Sequence, residues 1–244
     1  MILTGCCSLL AVKAHSVTDP YALLKKVQQV YTGGRSLRFE MVYRYAYKDT
    51  PGEVLDSLRG HVTMQDKNFC IVIGDNESMA NQRYMFQVFN QERVICMASR
   101  THNQQTEMAL PAFLLDSITM AKSGLKATAE TDSMGESLLS LVFPDELLYK
   151  KAVFTIDKMG YILGASYEVK AEALLSTEAV TSGKVTKEER DAYGIVTVQY
   201  SHFSTVQVNS MLFSDSRFVT EQDGNYIASS SFKGYTIYNT NPKP

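Results

Sequence analysis

At 244 residues, with 45% hydrophobic and 20% charged residues, the chain has the composition of a globular protein able to bury a substantial core as one domain. A mean hydropathy of -0.14 excludes a polytopic membrane protein. A net charge of -2 gives no electrostatic reason to bind nucleic acid, which requires a clustered positive surface to displace counterions from phosphates.

The apolar opening from Met1 to Val12 gives way to Lys13-Ala14-His15-Ser16. It reads as the apolar region of a secretory signal peptide, residues 1–14, with Val12-Lys13-Ala14 as its cleavage site and 15–244 as the single mature domain. It lacks a basic stretch ahead of the apolar run, and a buried N-terminal segment is the competing reading. A bilayer span needs about 20 apolar residues, more than are present. Leu3-Thr4-Gly5-Cys6 matches a bacterial lipobox, which makes Cys6 a candidate lipidation site, although only two residues precede the motif. Cleavage after Ala14 leaves Cys70 and Cys96. They either form one disulfide in an oxidising periplasm or remain two buried thiols. Neither has a second Cys or a His at metal-ligand spacing.

Asp19-Pro20 followed by Tyr21 to Tyr31 combines a cap residue, a Pro at the helix start and apolar residues at helical spacing, stopping at Thr32-Gly33-Gly34. From Arg38 to Lys48, Phe39, Met41, Tyr43, Tyr45 and Tyr47 share one parity and Arg38, Glu40, Arg44 and Lys48 the other. That period of two predicts a long strand with one dry face. After the turn Asp49-Thr50-Pro51-Gly52, strands are expected at about Leu58 to Met64, Asn68 to Ile73, Tyr84 to Phe89 and Arg93 to Ala98, with separations short enough for an antiparallel meander. From Glu107 to Lys122 the period becomes helical, with Leu110, Phe113, Leu114 and Ile118 on one face and Gly124 beyond the end. Strands resume at about Leu125 to Thr131, Ser137 to Phe143, Ala152 to Ile156 and Tyr161 to Lys170. Ala171 to Asp191 reads as a solvated connection. A strand from Gly194 to Phe203 and a β-rich close from Tyr226 to Tyr238 complete the chain. The fold class is mainly β (α+β): too few helices for a flat cover favour a strongly curved antiparallel sheet or incomplete β-barrel with a few short helices over it.

No nucleophile elbow, zinc-protease pair, Walker loop or dinucleotide fingerprint occurs. Thr32-Gly33-Gly34-Arg35 joins a helix to a strand, the reverse of a phosphate cradle, and reads as a helix stop. His15, His61, His102 and His202 are isolated in sequence, so no catalytic residue, metal site or cofactor is assigned. A triad assembled from distant residues stays open. The 14 Tyr, 11 Phe and 11 Met with no Trp suit either a cavity for flexible acyl chains or a plain core.

Several stretches together resemble the LolA-like family of periplasmic lipoprotein carriers. They are the helix from Ala22 to Tyr31 leading into Ser36-Leu37-Arg38-Phe39, then Leu58-Arg59-Gly60-His61, then Asn81 to Ser99. Leu141-Val142-Phe143-Pro144-Asp145 with Phe154 to Leu163, and more loosely Tyr193 to Phe203 and Tyr235 to Asn239, extend the likeness. The resemblance implies an incomplete antiparallel barrel around an apolar cavity, closed by helices, that carries lipids or lipoproteins in the periplasm without catalysis. On that basis Phe39, Met41, Tyr43 and Tyr45 are expected to line the cavity, and Leu110, Phe113, Leu114 and Ile118 to form a lid helix. The implied partners are a lipid acyl chain or lipoprotein, with envelope proteins as further partners and a monomeric state. A cell-envelope structural or interaction lipoprotein with a solid core, anchored through Cys6, is the alternative. An enzyme built on the same barrel is a third reading. The chain is longer than a typical carrier, with the extra segment at about Ala171 to Asp191.

Overall fold

The computed structural model describes residues 16–100, 124–145, 147–171, 186, 192–205, 207–222 and 224–240. The expected signal peptide, the candidate lipidation site Cys6, the expected lid helix with Leu110, Phe113, Leu114 and Ile118, and nearly all of the connection expected at 171–191 lie outside the described residues.

After a short strand β1 (Ser16–Thr18), Asp19 caps helix α1 (Pro20–Thr32) by accepting a hydrogen bond from the Tyr21 amide at 2.9 Å. Leu23, Leu24, Val27 and Tyr31, spaced for one helical face, are buried. The helix stops at Gly33, where a Cβ would stand 2.5 Å from the Gln29 carbonyl oxygen. α1 is the single α-helix among the described residues.

Two antiparallel meanders follow. The first is β2 (Leu37–Tyr47), β3 (Val54–Gln65), β4 (Asn68–Ile73), β5 (Asn76–Ala80), β6 (Tyr84–Phe89) and β7 (Val94–Ser99). The second is β8 (Lys126–Thr131), β9 (Ser137–Val142), β10 (Tyr149–Ile156), β11 (Ile162–Lys170) and β12 (Tyr193–Ser204). β12 returns to pair with β2, so the meanders fuse into a curved sheet of thirteen strands that does not close into a barrel. One outer edge is β1, paired with β8, and the other is β15 (Thr236–Asn239).

The chain departs from the simple meander at its end. β15 runs parallel to β7, and a separate hairpin of β13 (Val219–Gln222) and β14 (Asn225–Ala228) precedes it. Tyr47 also departs from its expected dry parity. A register shift between Tyr45 and Ala46 turns Ala46 inward and leaves Tyr47 63% exposed.

The sheet buries both faces, but in different places. We call the face packed on α1 the inner face. Its core joins Leu23, Leu24, Val27 and Tyr31 to Phe39, Met41, Met64, Phe69, Leu139, Leu141, Phe154, Tyr167, Val198 and Tyr200. The outer face is polar along β2, where Arg38, Glu40 and Arg44 are exposed. It turns apolar across β4 to β7. There Cys70, Met79, Phe86 and Met97 form one cross-strand row, covered by Phe213, Phe218 and Val219 from the C-terminal segment. Phe86 stacks on Phe218 at 4.9 Å between centroids.

Cys70 and Cys96 are both free. Cys70 lies in the outer-face row, whereas Cys96 pairs with Gln87 in a row of opposite parity. Three strand spacings of about 4.8 Å and opposite faces place them beyond disulfide reach. Two free thiols therefore stand in place of the disulfide, but only Cys70 is buried and Cys96 is half-buried.

Candidate functional site

The inner face is filled at one end and open at the other. At the filled end, α1 lies over the first half of β2 and the β10 to β11 turn. Tyr31 packs edge-on to Phe39 at 6.0 Å, and its hydroxyl accepts a hydrogen bond from the Ile162 amide at 3.2 Å. Phe39 in turn contacts Tyr200 and Phe203 at 5.8 and 5.4 Å. Gly60 lets the sheet draw in beside this region: a Cβ there would meet the Val72 carbonyl oxygen at 2.4 Å and the Met41 methyl at 3.1 Å.

Toward the middle, phenols collect on the inner face. Burial raises the phenols of Tyr31, Tyr167 and Tyr200 well above their ordinary range, and pushes Tyr43 up to about 12. Tyr45 is raised as well, by burial and then by the carboxylate of Asp56, its cross-strand partner.

At the open end the floor changes from packed core to a groove of about 600 Å³, within the size range of small-molecule sites. Tyr43 and Tyr45 of β2, Leu58 of β3, and Ile71 and Ile73 of β4 make its apolar floor. Alternation in three adjacent strands puts these side chains on one face, because Tyr43 pairs with Leu58, and Gly60, two residues further on, pairs with Ile73. The mouth is formed by the β4 to β5 turn, with Asp75 and Asn76, and by Gln91 and Glu92 of the β6 to β7 turn, while Ser78 lies beside Ile71 as its strand partner. The Gln91 amide donates to the Asp75 carboxylate at 3.0 Å, and the Asn90 amide donates to the Asp75 carbonyl, which ties the two turns together.

The structure separates the four residues expected to line a cavity. Tyr43 and Tyr45 lie in the groove, whereas Phe39 and Met41, at 0% and 2% exposure, are built into the packed interior behind it. Leu58, Ile71 and Ile73 were legible as strand residues, but their convergence depends on the register of three strands. Of the histidines on strands, His61 is half-buried, and His202 is exposed with its Nδ1 3.2 Å from the Glu40 carboxylate on the outer face. Among the described residues no group of three or more His, Cys, Asp or Glu is arranged to hold a metal ion.

No family model matches this chain, and no curated protein does. Among solved structures, it is similar to an uncharacterized conserved protein from Thermus thermophilus, with 8% identity, coverage of 89% of this chain and 97% of that one, and a TM-score of 0.47. A DUF1329 family protein from Desulfovibrio piger is 14% identical over 82% of this chain and 99% of its own, with a TM-score of 0.36. A LolA superfamily protein from Nitrosomonas europaea is 13% identical over 85% of this chain and 100% of its own, also with a TM-score of 0.36. These are likenesses of fold outline between chains that share few residues, and a LolA superfamily protein is among them.

Proposed function

We propose that this protein is a non-enzymatic carrier of the periplasm that holds the acyl chain of a lipid or lipoprotein in the groove at the open end of its sheet. The observation that carries this reading is the groove itself: a depression of about 600 Å³ whose floor is built mainly from Tyr43, Tyr45, Leu58, Ile71 and Ile73, with Asp75 and Glu92 at its mouth. Burying a methylene contributes roughly 0.8 kcal/mol. Eight of them would give roughly 6 kcal/mol, a Kd in the tens of micromolar, with no charged anchor. In this reading Phe39 and Met41 support the floor, and Leu110, Phe113, Leu114 and Ile118 keep the role of covering face that the resemblance implies. Residues 15–244 act as one monomeric domain after removal of residues 1–14, or anchored to a membrane facing the periplasm through Cys6.

The alternative, a solid-core interaction module of the envelope, is favoured by the complete packing of Phe39 and Met41. One experiment separates the two. Native mass spectrometry after gentle purification, followed by titration with a fluorescent monoacylglycerol, is expected to show saturable uptake of one equivalent. Ile73→Asp, which puts a charge on the groove floor, should weaken uptake at least about tenfold, since a single unpaired charge in an apolar site costs more than that factor. Absence of uptake by the native protein, or equal uptake by Ile73→Asp, overturns the carrier reading in favour of the solid core.

A further inference from the structure

The mouth of the groove carries charge of one sign. Asp75 and Glu92 line it, and Asp56 stands across from Tyr45 as its strand partner. All three are exposed. No Lys or Arg is among the residues lining the groove. At the end of β2, Lys48 is drawn away to Glu168, with Lys150 3.8 Å from the same carboxylate. Arg44 and Arg59 fall on the opposite parity from Tyr43 and Leu58, toward the outer face. The Asp75 carboxylate accepts a hydrogen bond from the neutral Gln91 amide.

Building on the acyl-chain reading, we infer that the groove selects amphiphiles whose head carries a positively charged ammonium, and discriminates against free fatty acids. With the chain on the apolar floor, the head emerges between Asp75 and Glu92. An ammonium there meets two carboxylates, which attract it. A carboxylate head in the same place meets like charge twice and no compensating cation. The preference is electrostatic and solvent-exposed, so salt attenuates it.

Calorimetric titration with three twelve-carbon amphiphiles below their micelle thresholds tests this: dodecyltrimethylammonium, neutral monolauroylglycerol and laurate. In about 20 mM salt the ammonium compound should bind roughly tenfold more tightly than laurate, with the neutral compound between them. The difference should shrink to under about threefold in 300 mM salt, and equally in the Asp75→Asn, Glu92→Gln double variant. Laurate binding as tightly as the ammonium compound overturns the inference, as does a preference that survives the double substitution. If the three bind alike, head selectivity fails while the acyl groove stands. If none binds, the groove reading itself fails.

Discussion

Two charged pairs tie the C-terminal segment to the sheet, the exposed Arg83 with Asp215 and the Arg217 with Glu77 pair set among apolar side chains, and removal of the second gives a sharp prediction. Glu77 lies between Val72 and Val88 in a cross-strand row. Its carboxylate receives the Arg217 guanidinium at 2.9 Å and the Cys70 thiol at 3.2 Å. Arg217 also donates to the Leu212 carbonyl at 2.7 Å and lies 4.8 Å over the Phe218 ring. Truncation by Arg217→Ala leaves a carboxylate among valines. Breaking a fully buried pair costs about 3 to 5 kcal/mol. With side chains still 29% and 15% accessible, about 2 to 3 kcal/mol is expected after allowing for solvent screening. Replacing both members, as in Glu77→Leu with Arg217→Met, should return stability to within about 1 kcal/mol of the native protein, because no charge is left uncompensated. Equilibrium urea unfolding followed by circular dichroism and tyrosine fluorescence measures all three. A loss below about 0.5 kcal/mol in Arg217→Ala, or single losses that simply add in the double variant, would refute the reasoning.

Further outcomes follow from the inner face and from the thiols. Tyr43 titrates near 12 in the fold against 10.0 for a free phenol, and Tyr31, Tyr167 and Tyr200 are raised too, all chiefly by burial. The native state therefore keeps protons that the unfolded chain loses. Stability is fully present below about pH 10 and falls above it, by up to about 1.4 kcal/mol per pH unit for each such group. Urea midpoints measured from pH 7 to 11.5 should be level to about 10 and then drop, and a level profile throughout contradicts the burial of these phenols. Burial pushes the Cys70 thiol up to about 12, so maleimide at pH 7.5 should leave Cys70 unlabelled until denaturant is added, read by peptide mass spectrometry. Phe39→Ala, at a site with 0% exposure, should cost about 3 to 5 kcal/mol in urea unfolding. Gly60→Val should lower the thermal midpoint by at least several degrees, because its Cβ would fall 2.4 Å from a backbone oxygen in the paired strand.

Much of the scaffold could be read from side-chain pattern. The alternation from Phe39 to Tyr45 named the dry face of β2, and Asp19-Pro20 and Gly33 marked both ends of α1. β5 escaped because Asn76-Glu77-Ser78-Met79-Ala80 has no β-branched or aromatic residue, and its strand state is imposed by β4 and β6 on either side. The parallel course of β15 was equally illegible, since Thr236 to Asn239 carries no mark of which edge it will join. Its partner β7 lies far back in the chain. The groove mixes both cases. Tyr43 and Tyr45 announce a dry face, but only the register of β2 against β3 and β4 brings Leu58, Ile71 and Ile73 beside them. The mouth is still less visible, because Asp75 and Glu92 sit in turns, where polar residues carry no directional signal.

The pairing of β2 with β12 has a consequence for how the chain reaches its fold. β2 to β7 are sequential neighbours and can assemble as they emerge, yet one edge of β2, from Arg38 to Tyr47, has its partner only at Gly194 to Ser204. At ribosomal rates of about 5 to 20 residues per second, that edge waits on the order of ten seconds for its complement. Throughout that interval a row of backbone donors and acceptors beside Met41, Tyr43 and Tyr45 is open to any other extended chain. A nascent protein of this topology benefits from being kept unfolded until synthesis is complete. Substitutions that hasten the first meander without strengthening the β2 to β12 seam should lower soluble yield even where they raise the stability of the finished molecule.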